Sequence, residues 1–452
     1  MPVDLARQSG GNARAAFRFY LFPALSAPLR LCQLLPVPFR FLHTADLHLD
    51  SPLKTLALRD AALGTMIANA TRQAFVRIVD ACLEEAVDAL LVAGDLYDGE
   101  IRSMATPLFL GQQFKRLDDA GIAVFLVRGN HDAAASVTRH LSLPGNVTVF
   151  ATRGECRILE AKGVAIHGIS FPTGQVAASL LPKFGAPVEG LTNIGILHTS
   201  LAGAEGHDVY APCSVGDLTR QGYDYWALGH IHKRQIHNAA PAIVMPGMPQ
   251  GRDINEAGRK SATLVTIATD RSVTLSELPT AVAQFERITI DVTGCENTSG
   301  IADRMRIAMA GALSTVQADS LVARLILTGT SPLASRLRRD PDLVLAEAQQ
   351  AALQVGRTLI DTVEIRATLL ETKSAAADPV SDIRQILLRA ADTAPELVES
   401  ATALIAELRA ALPPELRKSF GDGEADMVRL ARQLIAEGSE DVLARLSGGE
   451  DL

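Results

Sequence analysis

Residues 88–98 read DALLVAGDLYD. Five apolar residues, Ala89–Ala93, run uninterrupted to a glycine, and two carboxylates, Asp95 and Asp98, follow it. An apolar run this short, bounded by turn signals, reads as a strand buried on both faces. A carboxylate just beyond such a strand is either a turn former or a group that holds something charged. The sequence on either side decides between them.

Upstream, Phe39 to Ala45 reads as another strand, and a helical pattern covers 71–86 with Phe75, Ile78, Val79, Cys82 and Leu83 on one face. Downstream, a helix is expected across 105–119, Gly121 ends it, and Ile122–Val127 is a third apolar strand. Strand, helix, strand, helix, strand at this spacing implies parallel pairing through right-handed crossovers. Shorter strand-like runs follow at 147–150, 156–160, 164–169, 194–197, 225–228, 242–245 and 262–268, without long helices between them. The expected fold is therefore α/β, with a two-sheet core flanked by helices over 38–278. Near 280 the pattern changes to strand 285–292, helix 298–313, strand 321–327, helix 341–354 opened by Pro341, and strand 359–369. That is expected to be a small α+β domain over 281–370. Lys373–Pro379 reads as a linker, and 374–452 as helical, with Leu404, Ile405, Leu408 and Leu412, then Met427, Leu430, Leu434 and Ile435, at helical spacing.

Composition narrows the class. The 452 residues are 48% apolar, enough for sizeable cores, yet no run reaches the roughly 18 apolar residues of a membrane helix. Five scattered cysteines form no C-x-x-C pair, which argues against a disulfide framework or a cysteine zinc site and fits a reducing cytosol. Residues 1–37 carry four arginines around apolar patches interrupted by prolines, and read as a disordered or mis-started extension. Net charge is −8, of which 374–452 carry −7 from 8 Lys/Arg and 15 Asp/Glu. The acidity sits in the tail and does not oppose phosphate binding elsewhere.

The polar residues at strand ends carry the chemistry. Asp46 and His48 follow the first strand, Asp95 the second, and Asn130, His131 and Asp132 (GNHD) the third. His198 follows a fourth strand, and His230 and His232 (GHIH) a fifth. Ligand sites in open α/β sheets lie beyond the carboxyl ends of strands. Oxygen and imidazole donors without thiolate suit Mn²⁺, Fe²⁺ or Zn²⁺. Asp46, His48, Asp95, Asn130, His198, His230 and His232 are too many for one ion and fit two divalent metal ions. Two ions about 3.5–4 Å apart need a bridging carboxylate. Asp95 is the candidate, because its strand is expected between the other two.

D-x-H, G-D-x-x-D, G-N-H-D, a lone histidine after a strand and G-H-x-H, in this order, resemble the calcineurin-like metallophosphoesterases over residues 39–270. HTADLHLDSP (43–52), HDVYAPCS (207–214), YDYWALGHIHKR (223–234) and PGMPQGR (246–252) resemble the SbcD-type DNA repair nucleases, most closely the YhaO branch. The resemblance implies that Asp46, His48 and His232 bind one metal and Asn130, His198 and His230 the other, with Asp95 bridging. It implies that His131 acts as general acid and phosphate stabiliser, with Asp132 orienting its ring. It further implies a DNA exonuclease with Mn²⁺, a capping domain at 281–370, and a helical tail that docks on an SbcC-like coiled-coil ATPase. The alternative reading of the small domain is a stability or dimer element, which leaves a homodimer open.

Structural readings compete at several positions. His43, His140, His167 and His237 read as packed histidines, and Asp50 and Asp98 as turn or supporting groups. Arg252 and His207 are candidate substrate contacts, as is Arg128 more weakly. Two rival functions remain beside the nuclease: a metallophosphoesterase acting on nucleotides or other small phosphoesters, and a DNA-end binding scaffold.

Overall fold

The computed structural model describes residues 38–51, 61–98, 105–134, 143–201 and 210–369, then 394–412, 423–446 and single positions between 383 and 421. The N-terminal extension, His140 and His207 lie outside the described residues.

In chain order the first elements are β1 (Phe39–Thr44), α1 (Ala61–Glu84), β2 (Ala89–Ala93), α2 (Ala105–Asp119), β3 (Ala123–Val127), α3 (Asn130–Ala134) and β4 (Val147–Val149). Then come β5 (Glu155–Leu159), β6 (Val164–Ile169), β7 (Thr192–His198), α4 (Val215–Arg220), β8 (Tyr225–Gly229), β9 (Gln235–Ala239), β10 (Ala242–Met245), β11 (Ser261–Ile267) and β12 (Val273–Pro279). They make two six-stranded mixed sheets, ordered β12-β11-β1-β2-β3-β4 and β5-β6-β7-β8-β10-β9. β1, β2, β3 and β4 pair in parallel, as do β6, β7, β8 and β10. β2 lies between β1 and β3, as the sequence reading requires of the strand that carries Asp95.

Alternation along each strand builds the sandwich. Phe41, Leu91 and Phe125 face the second sheet, where Ile166, Ile196 and Tyr225 meet them. Leu42, Leu90, Val92 and Val124 face the opposite way and pack on Phe75, Ile78 and Phe114 of α1 and α2. Trp226, Leu197 and Ile243 cover the outer face of the second sheet with Phe184, Leu218 and Tyr223. Each such buried side chain contributes about 1.5–3 kcal/mol, so the central strands are anchored on both faces.

The remaining elements are β13 (Ala283–Asp291), α5 (Thr298–Leu313), β14 (Ser320–Thr328), α6 (Ala334–Arg339), α7 (Pro341–Val355), β15 (Thr358–Ile365), α8 (Pro395–Ala411) and α9 (Glu424–Leu446). β13, β14 and β15 form a three-stranded sheet, all parallel. The α+β expectation for this segment is refined: a helix between each pair of strands makes two crossovers, and a crossover joins parallel neighbours. Its helices cover one face through Met305, Met309, Val344 and Ala348. Phe285 and Val322 on the other face meet Leu63 and Ile67 of α1. α8 and α9 pack through Val398, Ile405 and Ala431, and Asp441 of α9 pairs with Arg338 of α6 at 3.0 Å.

Candidate metal centre

Because β1, β2 and β3 are parallel neighbours, their carboxyl ends share one edge. β7 and β8 bring theirs to it from the second sheet, where His198 Nδ1 bonds the Ala93 carbonyl at 2.9 Å. The backbone bends sharply at the exits of β1, β2 and β8. Asp46, His48, Asp95 and His230 have φ of 54°, 42°, 53° and 107°. A non-glycine residue held there costs on the order of 1–3 kcal/mol, a pattern concentrated at functional sites. Two glycines are required. A Cβ on Gly94, at φ 93°, would stand 2.5 Å from His198 Nδ1, and one on Gly129 would stand 2.2 Å from Asp95 Oδ1.

Among the described residues, three sets each bring one ligand atom per residue within 4.8 Å of one another: Asp46, His48 and His232; Asp46, Asp95 and His198; His48, Asp95 and His131. Asp95 and Asp46 each share one set with His48 and another with His198, so both carboxylates stand between the two groups of imidazoles. His48 Nε2 and His232 Nε2 face each other at 3.1 Å, and His198 Nε2 lies 3.0 Å from Asn130 Oδ1 and 3.4 Å from Asp95 Oδ2. The His230 backbone N–H donates to both Asp46 oxygens at 3.1 and 3.0 Å, and its ring centroid lies 5.2 Å from that of His198. All seven expected ligands thus gather in one place.

The donor set fits divalent cations. Two carboxylates, Asp46 and Asp95, are almost fully buried beside three ring nitrogens aimed inward, and buried negative charge demands a partner. Burial, reinforced by Asp95, raises the Asp46 carboxyl to about 6 against the pull of His198 and His232. Burial opposes a charge on His198, yet Asp95 and Asp46 outweigh it and raise the imidazole to about 9. Burial also opposes a charge on Asp95, but His198 and His131 hold its carboxyl well below the usual range. Protons thus stand where cations would supply the positive charge.

The surrounding residues correct the sequence reading in one respect and extend it in another. Asp132 does not orient His131. Its oxygens accept backbone N–H bonds from Leu96 at 2.9 Å, Tyr97 at 3.2 Å and Gly129 at 3.0 Å, so it clamps two loops together. Adjacent residues on the helical turn α3 do not face each other, so Asp132 is turned away from its neighbour's ring. Asp98 takes the expected place, with Oδ1 3.2 Å from His131 Nδ1. Glu256, which sequence reasoning missed, lies with Oε1 2.9 Å from His232 Nδ1. A carboxylate behind a ligating imidazole fixes its tautomer and ring orientation. The available signal was an acid four residues after Arg252, in a short polar turn.

Arg252 is directed at these carboxylates: Nη2 lies 2.6 Å from Glu256 Oε1 and Nη1 3.1 Å from Asp98 Oδ2. His43 is a core histidine, bonded to the Tyr225 hydroxyl at 2.9 Å and the Leu228 carbonyl at 3.0 Å. His167 meets Asn193 Oδ1 at 2.9 Å, and Asp50 holds Arg72 through both oxygens. His237 is half-buried, and burial lowers its pKa. Arg128 uses its backbone N–H on Ser170 at 2.9 Å.

Residues 39–234 match the calcineurin-like phosphoesterase family, and residues 285–368 match the middle domain of metallophosphoesterase YhaO. A Bacillus subtilis protein described as the uncharacterized metallophosphoesterase YhaO is 34% identical over 297 residues, covering 65% of this chain and 72% of that one. The chain belongs to the calcineurin-like metallophosphoesterases. As a metallophosphoesterase it is a metal-dependent phosphoester hydrolase. More distant relatives include the Methanopyrus kandleri DNA double-strand break repair protein Mre11, 26% identical over 47% of this chain and 49% of that one. The D subunit of the Escherichia coli nuclease SbcCD is 25% identical over 54% of this chain and 69% of that one.

Proposed function

We propose that this metallophosphoesterase is a two-metal phosphodiesterase that hydrolyses DNA, a repair exonuclease working with Mn²⁺. The observation that carries the DNA reading is the wall of one cavity of about 1170 Å³. His48, Asp95, Asn130, His131, His230 and His232 line it together with Lys233, Arg259 and Arg287. Those three cations are exposed, and none makes an ion pair among the described residues. One phosphate needs only the metal centre, whereas a nucleic acid strand carries a charge at every nucleotide and uses further cations. The relatives named as a nuclease subunit and as break-repair proteins support the same reading.

Asp46, His48 and His232 would hold one cation and Asn130, His198 and His230 the other, with Asp95 between them. Two divalent ions so held supply Lewis acidity, charge neutralisation and a water of lowered pKa near neutral pH. His131 faces the same cavity, and its ring nitrogen turned away from Asp98 is the group that protonates or stabilises the leaving oxygen. Asp98 keeps that ring in one orientation, and Glu256 does the same for His232.

Residues 281–370 act in this reading as a capping domain, since Arg287 of β13 reaches the cavity wall. The helical tail would dock on an SbcC-like ATPase. No helix among the described residues is long and apolar enough to cross a membrane. Four described cysteines are free thiols, which fits the cytoplasm.

The test is a Mn²⁺-dependent assay on end-labelled linear duplex and single-stranded DNA, beside mononucleotides, cyclic nucleotides and a phosphopeptide. Shortening of DNA from its ends is expected. Turnover of the small esters with intact DNA would overturn the DNA reading and leave the metallophosphoesterase.

A further inference from the structure

We propose that Arg252 is a positioning residue that locks the metal ligand His232 and the acid His131 into a single frame. This rests on the two-metal reading of the centre and not on DNA as substrate.

Arg252 lies between the carboxylates that stand behind these two rings. On one side its Nε and Nη2 reach Glu256, at 3.2 Å from both oxygens and 2.6 Å from Oε1, while Glu256 Oε1 lies 2.9 Å from His232 Nδ1. On the other side its Nη1 lies 3.1 Å from Asp98 Oδ2, while Asp98 Oδ1 lies 3.2 Å from His131 Nδ1. Ser51 Oγ also bonds Asp98 Oδ2, and the Arg252 backbone N–H donates to Glu256 Oε2 at 2.7 Å. The Arg252 side chain is only 18% exposed, and those of Glu256 and Asp98 13% and 19%.

Three features favour positioning over substrate contact. First, Nε, Nη1 and Nη2 each already meet a carboxylate oxygen, so most of the five N–H donors of the guanidinium are turned to protein and few are left for a phosphate. Second, two carboxylates this poorly exposed need a cation between them, and without one each is free to turn away from its histidine. Third, the planar fork of arginine can address both carboxylates from one rigid group, which the point charge of lysine cannot. The sequence spacing fits: PGMPQGR brings Arg252 out of a buried stretch, and the turn Ile254–Glu256 folds the acid back onto it.

The experiment compares Arg252→Met, Arg252→Lys, Glu256→Gln and Asp98→Asn in the full chain. Mn²⁺ binding is titrated by calorimetry, and turnover is measured on bis(p-nitrophenyl) phosphate and on a dinucleoside monophosphate, whose leaving alkoxide needs a proton. Arg252→Met is expected to weaken Mn²⁺ binding about 10–100-fold. It should also lower kcat more on the dinucleoside than on the nitrophenyl ester, with KM little changed. Glu256→Gln should reproduce the metal effect alone, and Asp98→Asn chiefly the leaving-group effect, with a smaller metal effect because Asp98 Oδ1 also lies 3.7 Å from His48 Nδ1. Arg252→Lys should recover part of the metal affinity, and it decides the matter if the methionine variant fails to fold. Wild-type Mn²⁺ affinity with a raised KM in the arginine variants would overturn the proposal and make Arg252 a substrate contact. If the chain cuts no DNA, the metal titration still decides the role of Arg252.

Discussion

His131 Nδ1 lies 3.2 Å from Asp98 Oδ1, so an acid from the exit of β2 steadies the histidine at the exit of β3. Replacing His131 with alanine should leave both metals bound and lower kcat by about 10²–10⁴-fold. Asp98→Asn should lower kcat less, by about tenfold. Asp132→Asn should act elsewhere, costing roughly 1–3 kcal/mol of stability, because Oδ1 can still accept from Leu96 and Tyr97 but an amide nitrogen in place of Oδ2 leaves the Gly129 N–H without its acceptor. Metal content, kcat and melting temperature of the three variants check this. A fall in kcat confined to Asp132→Asn would reverse the assignment.

Metal affinity should rise with pH. Asp46 is raised to about 6 by burial and by Asp95, so below that pH a proton occupies the oxygen a cation needs. His198 is raised to about 9 by Asp95, against its burial, so near neutral pH it must release a proton before Nε2 can ligate. Mn²⁺ binding should therefore strengthen from pH 6 to 8.5 and release protons near pH 7. Calorimetry in buffers of different ionisation enthalpy reads both, and a pH-independent affinity without proton release would contradict the ligand roles.

His43 should make the fold sensitive to acid. Burial holds its imidazole down at about 3, against an ordinary 6.5. Between those values the unfolded chain binds a proton that the folded chain does not. This contribution to stability is complete above about pH 6.5 and falls away as pH drops, at up to about 1.4 kcal/mol per pH unit. Denaturant unfolding of the wild type and of His43→Gln between pH 7 and 4 should show a shallower pH slope in the variant. Equal slopes would place the charged imidazole within the folded core.

Reversing the charge of Lys233, Arg259 and Arg287 should weaken binding of single-stranded DNA and flatten its dependence on salt. The slope should fall by about 0.7 for each phosphate that is no longer neutralised. Filter binding from 50 to 200 mM salt measures it. An unchanged slope would remove these residues from the path of the strand.

Much of this was legible in the sequence because the central strands are short, apolar and buried on both faces, and because each ends in a chemically distinctive group. Asp95 could be placed between the other two exits from strand order alone. The supporting carboxylates were not legible. Asp132 adjoins His131 in sequence and Asp98 does not, yet the turn at Asn130–Ala134 points neighbours apart. Glu256 and Arg252 sit where no hydrophobic period marks an element. β9 and β12 escaped notice because they are edge strands with many exposed residues, whose alternation is blurred. α1 begins at Ala61, ahead of the expected 71, because its first part faces Ile254 and Phe285 and lies outside the apolar stripe traced from Phe75.

The most direct measurement is the number of Mn²⁺ ions bound per chain, by equilibrium dialysis and elemental analysis, for the wild type and Asp95→Asn. Two ions are expected in the wild type, with binding and turnover lost together in the variant. Two tightly bound ions in Asp95→Asn, or a single ion in an active wild type, would contradict a centre built on that carboxylate.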